Sequence, residues 1–246
     1  MNTSPKVVCT VPTYNEVENI VDLADALLAH GEHVEVLVVD DDSPDGTAAA
    51  VRAAQTTRRR LHLLHRTSDR GRGAAGRDGF LRALAMGADV VLEMDADFSH
   101  HPRYLPVLVE TLLAERSPPL GLVVGSRAVA GGTDDDRGIV RRVITRLANA
   151  YIRLLLGLDV RDCNSGYRCW RADTLRRIEV EKTFSKGPAI VQELLFKTAR
   201  AGIAIAETPI EFVDRVRGES TLTWRTLLTG YTTVLELRLK SLVGRL

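Results

Sequence analysis

The chain has 246 residues, 45% of them hydrophobic, with 33 Lys and Arg against 32 Asp and Glu and a net charge of +1. This length suits one substantial core, as in a single α/β domain. The near-zero charge removes any global electrostatic case for nucleic acid as a partner.

Val7 to Val11 reads as a short strand stopped by Pro12-Thr13-Tyr14-Asn15, with a helix from about Glu16 to His30 and Asn15 as its N-cap. Val34 to Val39 is a second strand, ending in Asp40-Asp41-Asp42-Ser43-Pro44-Asp45-Gly46, and Thr47 to about Thr56 is Ala-rich helix. Leu61 to Leu64 is a third strand. Gly71 to Gly79 reads as a glycine-rich loop entering a helix that runs to about Ala85. Val90 to Met94 is the central strand. Pro102 opens a helix ending near Glu115, and Leu120 to Gly125 is a fifth strand. Gly138 to Leu156 and Thr223 to Val243 are basic amphipathic helices, and Ile203 to Val213, broken by Pro209, extends a sheet edge. Apolar strands alternating with helices imply a mostly parallel sheet. The expected architecture is a single Rossmann-like α/β domain over residues 1–246 with C-terminal amphipathic helices. Ligands of such sheets bind at the C-terminal strand ends. Pro12 to Glu16, Asp40 to Asp45, Asp95 to Asp97 and Ser126-Arg127 all fall there.

The chemistry centres on Asp95 and Asp97, two positions apart at the end of the central strand. Residues at i and i+2 on extended chain point the same way. Paired carboxylates suit Mg2+ or Mn2+ with open positions for phosphate oxygens; the alternative is a solvated acidic turn. Tyr14 offers an aromatic face and Glu16 a carboxylate to a nucleotide base, or the cluster is a helix cap. Asp40 and Asp41 can accept bonds from ribose hydroxyls or base N–H groups. Gly71, Gly73 and Gly76 form Gly-x-Gly-x-x-Gly after the third strand rather than the first, which excludes the usual dinucleotide reading. The remaining choices are close backbone approach to a nucleotide or a tight turn. Arg127 can meet a diphosphate bidentately. His100 and His101 complete a metal shell or are structural. Residues 137–161 carry six Arg against one Asp, while residues 32–45 collect Glu32, Glu35, Asp40, Asp41, Asp42 and Asp45. Separated zones of this kind suit a metal site facing an anionic partner.

These strings carry a resemblance. Val11-Pro12-Thr13-Tyr14-Asn15-Glu16, Asp40-Asp41-Asp42-Ser43-Pro44-Asp45-Gly46-Thr47, Met94-Asp95-Ala96-Asp97-Phe98-Ser99-His100, Gly125-Ser126-Arg127, Asp162-Cys163-Asn164-Ser165-Gly166-Tyr167-Arg168 and Phe212-Val213-Asp214-Arg215 together resemble family 2 glycosyltransferases of the A fold, in particular the polyprenyl (dolichyl) phosphate mannose synthases. The resemblance implies inverting transfer of mannose from GDP-mannose to a polyprenyl phosphate. It places Pro12, Tyr14, Glu16, Asp40, Asp41, Asp95 and Ala96 around the nucleotide, and Asp95 and Asp97 on the metal. Asp97 and Arg127 are the catalytic candidates, and Arg142, Arg146 and Arg215 lie toward the acceptor phosphate. It also divides the chain into a nucleotide-binding half, about 5–127, and an acceptor- and membrane-facing half, about 128–246. The chain departs from the pattern at Thr221, where a lysine is expected, and at Arg72, where a leucine is usual; Arg217 and Arg72 are candidates for the missing charge. Alternative readings are a UDP-glucose type donor, a non-lipid acceptor, or a non-catalytic nucleotide-sugar-binding relative.

Cys9, Cys163 and Cys169 are too few and scattered for a disulfide framework or zinc site. No run approaches the ~18 apolar residues of a spanning helix, and the N-terminus lacks a signal-peptide pattern. The expected place is the cytoplasmic face of a membrane, peripherally bound, with a membrane-anchoring partner protein as a further expectation.

Overall fold

Runs of β-branched residues form the strands, and the pleat sends alternate side chains into two apolar layers. The computed structural model describes residues 4–134, 138–213 and 224–243. Among them the elements are β1 (Val7–Thr13), α1 (Ile20–Leu28), β2 (Val34–Asp40), α2 (Thr47–Gln55), β3 (Leu61–His65), α3 (Arg72–Ala85), β4 (Val90–Glu93), α4 (Leu105–Leu113), β5 (Leu120–Ser126), α5 (Ile139–Leu156), β6 (Arg168–Arg171), α6 (Ala172–Arg177), α7 (Ile190–Arg200), β7 (Ala204–Pro209) and α8 (Trp224–Leu242). The sheet has seven strands in the order β3-β2-β1-β4-β6-β5-β7. β6 runs antiparallel to both its neighbours, and the other pairings are parallel. Val7, Cys9, Val11, Val36 and Val38 face α1, α2 and α4, meeting Leu23, Leu27, Val51, Leu108 and Leu112. Val8, Leu37, Val39 and Val91 face the opposite layer, where α3, α5, α7 and α8 bring Phe80, Ile152, Leu194 and Leu237. Each such buried side chain contributes about 1.5–3 kcal/mol. Trp170, wholly buried on β6, meets Phe80 edge-on at 6.2 Å.

β1 lies between β2 and β4, so the C-terminal ends of these three strands sit side by side. This is the α/β sheet with a mostly parallel core that the strand–helix alternation implies. Several local expectations are corrected. α1 starts at Ile20, not Glu16, because Asn15 takes a left-handed φ of 61° and its N–H is held by Ser43 Oγ at 3.0 Å. Asn tolerates that conformation where most residues do not. β6, α6 and α7 were not expected. β7 spans only Ala204–Pro209, on the expected edge.

The glycine-rich stretch is helix from Arg72 onward, not loop. Its glycines permit close approach to protein. A methyl group on Gly73 would lie 2.1 Å from the Ser185 carbonyl oxygen and 2.6 Å from that of Gly187, and one on Gly79 would lie 3.0 Å from Val39. Ala in a helix normally gains up to about 1 kcal/mol over Gly, and overpacking costs about 1–3 kcal/mol. With two backbone oxygens in the way, the second effect wins. Gly73→Ala is expected to lower the urea midpoint of unfolding; an unchanged or raised midpoint would show that the 185–187 segment yields without cost.

Candidate active site

The end of β2 builds its loop from its own carboxylates. Asp40 is wholly buried. One of its oxygens accepts from Ser43 Oγ at 2.6 Å and Thr13 Oγ1 at 3.3 Å, and the other from the Ser43 N–H at 3.1 Å. Asp40 therefore fastens the 40–43 turn, which corrects its expected place at the nucleotide. Asp45 accepts from Thr47 N–H and Oγ1 at 2.9 and 2.6 Å and from the Val17 N–H at 3.0 Å. Burial opposes its charge, but these donors outweigh burial and hold its pKa below the usual carboxylate value. The loop in turn positions the β1 end: the Glu16 N–H donates to Thr47 Oγ1 at 3.0 Å, and the Glu16 carboxylate accepts from Asn19 Nδ2 at 3.0 Å. Pro12 sits within β1, opposite Val39, and Tyr14 is exposed just beyond it.

Asp41, mostly buried, binds Arg66 through one oxygen and the Gly71 N–H through the other at 2.7 Å. Arg66 also reaches Asp78 at 2.9 Å and the Asp69 carbonyl at 2.8 Å. The N–H groups of Gly73 and Ala74 go to the Lys186 carbonyl at 2.8 and 3.4 Å. The start of α3 is thus capped by protein oxygens. Of the choices left open for Gly71, Gly73 and Gly76, the structure shows close approach to protein: a methyl group would meet the Lys186 carbonyl at Gly71, those of Ser185 and Gly187 at Gly73, and Glu93 and Ile190 at Gly76.

β4 stops at Glu93, so Asp95 and Asp97 lie on a bend, with Phe98 at a φ of 60°. Their arrangement comes from this bend and not from strand alternation. The Asp95 N–H donates to His100 Nδ1 at 3.2 Å, and its carboxylate, 43% exposed, lies 3.6 Å from His100 and 3.5 Å from Arg72. Asp97 is mostly buried and accepts from Ser99 N–H and Oγ at 3.1 and 2.6 Å. Ala96 is buried between them. His100 is buried, with Tyr167 at 5.2 Å and Phe212 at 5.6 Å between ring centres. Burial pushes its pKa down, with Asp95 pulling the other way. His100 therefore positions Asp95 as a neutral ring. His101 accepts from the Arg103 N–H at 3.1 Å as a helix cap. Gly166 packs against the Asp95 carboxylate, since a methyl there would be 3.6 Å from both oxygens. No group of three or more His, Cys, Asp or Glu is placed to hold a metal among the described residues.

Arg127 does not stand open to a diphosphate. Its Nε and Nη2 meet both oxygens of Asp162 at 2.8 and 2.9 Å, its N–H adds a third bond at 3.1 Å, and its guanidinium lies 4.9 Å over Phe212. Both side chains are almost completely buried. Burial disfavours either charge, but each partner outweighs it: the arginine's pKa is raised and the aspartate's lowered. Asp162 and Arg168 were missed as working residues. Arg168 is wholly buried and donates to the carbonyls of Ser165 and Cys163 at 2.9 and 3.2 Å and to that of Val191, with burial bringing its pKa down to about 10. The signal was present in the 162–168 string, but Arg127, the partner of Asp162, and Val191, one of the partners of Arg168, lie 35 and 23 residues away. Arg142 and Arg146 stand one turn apart on α5; Arg215, Arg217 and Thr221 lie outside the described residues. Cys9, Cys163 and Cys169 are free and buried.

Residues 9–178 match the family model described as glycosyl transferase family 2. The chain is 43% identical over 217 residues to an undecaprenyl-phosphate mannosyltransferase of Micrococcus luteus, covering 87% of this chain and 86% of that one. It is 39% identical over 211 residues to a polyprenol monophosphomannose synthase of Mycolicibacterium smegmatis, covering 85% and 78%. The fold matches glucosyl-3-phosphoglycerate synthase of Mycobacterium tuberculosis, solved with Mn2+, uridine diphosphate and glucosyl-3-phosphoglycerate, at a TM-score of 0.70 and 23% identity, covering 97% of this chain and 80% of that one. The same enzyme solved with Mg2+ and uridine diphosphate matches at 0.69.

Removing one partner of a buried ion pair costs about 3–5 kcal/mol. Asp162→Asn is expected to lose that much against wild type in urea at pH 7. The Asp162 pKa is lowered in the folded state, so its stabilisation is complete above the unfolded value near 3.8 and fades as pH falls through the folded value. The gap between the two proteins should therefore narrow below about pH 4. A gap independent of pH would mean that Asp162 does not act through its charge.

Proposed function

We propose that this chain, which belongs to glycosyl transferase family 2, moves mannose from GDP-mannose to the phosphate of a polyprenyl phosphate, with inversion. The observation that carries this is the 43% identity, over most of both chains, to an enzyme named for that acceptor and sugar. The nucleotide-binding half, about 5–127, supplies the donor site; the half from about 128 supplies the acceptor and membrane side. Tyr14 and Glu16 stand toward the base and Asp95, Ala96 and Asp97 toward the diphosphate. Asp41 supports this arrangement from beneath, through Arg66 and Gly71.

The acceptor is a phosphate monoester, ionised at neutral pH, so the reaction needs no strong general base. A phosphate oxygen bonds to the anomeric carbon as the bond to the diphosphate breaks, and GDP departs. The protein's work is positioning and charge stabilisation. Asp95 and Asp97 fit a hard divalent cation: they are oxygen donors, one of them half-open, and a cation with few protein ligands keeps positions for phosphate and water. Mg2+ or Mn2+ bound there would neutralise charge developing on the departing diphosphate. Arg142 and Arg146, with Arg215 after β7, are placed in sequence to draw the acceptor phosphate.

The outer faces support a membrane-surface location. No helix is long and apolar enough to cross a membrane among the described residues. α5 buries Ile152 and Leu156 inward, yet exposes Val143, Leu147, Tyr151 and Leu154 on the opposite side, with Leu147 at 66% and Leu154 at 85%. These four fall at helical spacing, and Arg142, Arg146 and Arg153 flank them. α8 exposes Leu235, Leu239 and Leu242 in the same way, and Val243 just after it is exposed too. Apolar stripes beside arginines suit an anionic lipid surface. A membrane-anchoring protein is the other occupant this face would accept.

The test is incubation with Mg2+ or Mn2+, labelled nucleotide sugars and a short polyprenyl phosphate, followed by extraction into organic solvent. Transfer from GDP-mannose is expected, and Asp95→Ala should lower it at least about a hundredfold. Label from UDP-glucose only, or full turnover by Asp95→Ala, overturns the reading. Paired Leu147→Glu and Leu154→Glu should cut co-flotation with anionic vesicles while leaving transfer to a water-soluble acceptor unchanged. Undiminished flotation would remove α5 from the membrane surface.

A further inference from the structure

Arg72 is the first residue of α3, and its guanidinium reaches two carboxylates of unlike character. Glu93, at the end of β4, is wholly buried and holds Nη1 at 2.8 Å. Asp95 is half-open and lies 3.5 Å from Nη2, at the limit of a hydrogen bond. One edge of the guanidinium is therefore fixed, while the other rests loosely on a residue of the donor site. The surroundings are shaped for this. A methyl group on Gly76 would lie 3.2 Å from both Arg72 Nη1 and Glu93 Oε1, so the glycine leaves room for the pair. The start of α3 is pinned by Asp41 on the Gly71 N–H and by Lys186 on the Gly73 N–H, which fixes where the arginine side chain begins. The side chain remains 23% exposed.

We infer that Arg72 is a diphosphate-contacting residue of the donor site: anchored on Glu93, its guanidinium exchanges the long contact with Asp95 for a phosphate oxygen when a nucleoside diphosphate sugar binds. The exchange is favourable because a phosphate accepts a shorter, charge-assisted bond. It also releases Asp95 from the arginine as the cation and diphosphate arrive. The inference rests on the donor-site reading above and adds a protein-borne positive charge at the leaving group.

The experiment is calorimetric titration of the full chain with GDP and with guanosine, each in Mn2+ and in EDTA. Arg72→Lys keeps a charge; Arg72→Gln with Glu93→Gln removes the pair together and leaves no unpaired buried carboxylate. Circular dichroism verifies folding of both. Arg72→Lys should bind GDP about tenfold more weakly and the double variant about tenfold to a hundredfold, with the loss persisting in EDTA and guanosine unaffected. Equal loss for guanosine would assign Arg72 a structural role only, and wild-type GDP affinity in both variants would overturn the inference alone. A wild-type chain that does not bind GDP would overturn the donor-site reading, and this inference with it.

Discussion

The crowding of carboxylates at one sheet edge is the constraint the rest of the molecule answers to. Asp40, Asp41, Glu93, Asp95 and Asp97 converge on the ends of adjacent strands, where like charges repel and burial makes each ionised group costly. The chain meets this by giving each carboxylate a defined set of donors. Asp40 takes hydroxyls and a backbone N–H from its own turn, Asp41 takes Arg66 and Gly71, and Glu93 takes Arg72. Asp97 is held by Ser99, which leaves Asp95 the most open of the five. Its backbone is set by His100, its flank by Gly166, and its carboxylate lies 3.5 Å from Arg72 and 3.6 Å from His100. A residue so placed is oriented while its carboxylate stays partly open, which suits a cation or phosphate site.

The arginines that neutralise the rest also tie distant parts of the chain together. Arg127 and Asp162 join the end of β5 to the loop before β6, and the same guanidinium lies on Phe212, whose ring also meets His100 edge-on. Arg168 draws the 163–165 loop and the start of α7 onto β6. Since the Arg127–Asp162 pair is buried, loss of one partner leaves an uncompensated charge and not merely a missing contact. The position of Asp95 thus depends on residues with no contact to it.

The sequence made the strands legible because their apolar runs are short and end in polar clusters at the edge where such sheets bind ligands. It could not separate Asp40 from Asp41: neighbours on a strand face opposite ways, and only the 40–43 turn decides which carboxylate is closed inside it. Arg127 read as a phosphate ligand because its partner lies 35 residues away. β6 was invisible because Arg-Cys-Trp-Arg carries charge at both ends, though Arg168 is as buried as Trp170 between it. The glycine motif stayed open for a related reason. Glycine marks close approach of backbone to something, and sequence does not say whether that is a ligand or, as here, the carbonyls of residues 185–187.

The outer helices extend the same logic of charge to the acceptor. A phosphate monoester and a nucleoside diphosphate repel each other, so a catalyst for their reaction has to supply positive charge on both sides of the transferred sugar. On the proposed donor side, Asp95 and Asp97 are the carboxylates assigned to a cation, and Arg72 is anchored on Glu93 beside Asp95. On the other side, α5 carries arginines along an exposed apolar stripe. A lipid phosphate sits at the boundary between hydrocarbon and water, and a helix face that pairs leucines with arginines matches both parts of that boundary. The two faces of α5 therefore differ in kind: Ile152 and Leu156 close the protein core, while Leu147 and Leu154 stand exposed, the face that the proposed function turns toward a lipid acceptor.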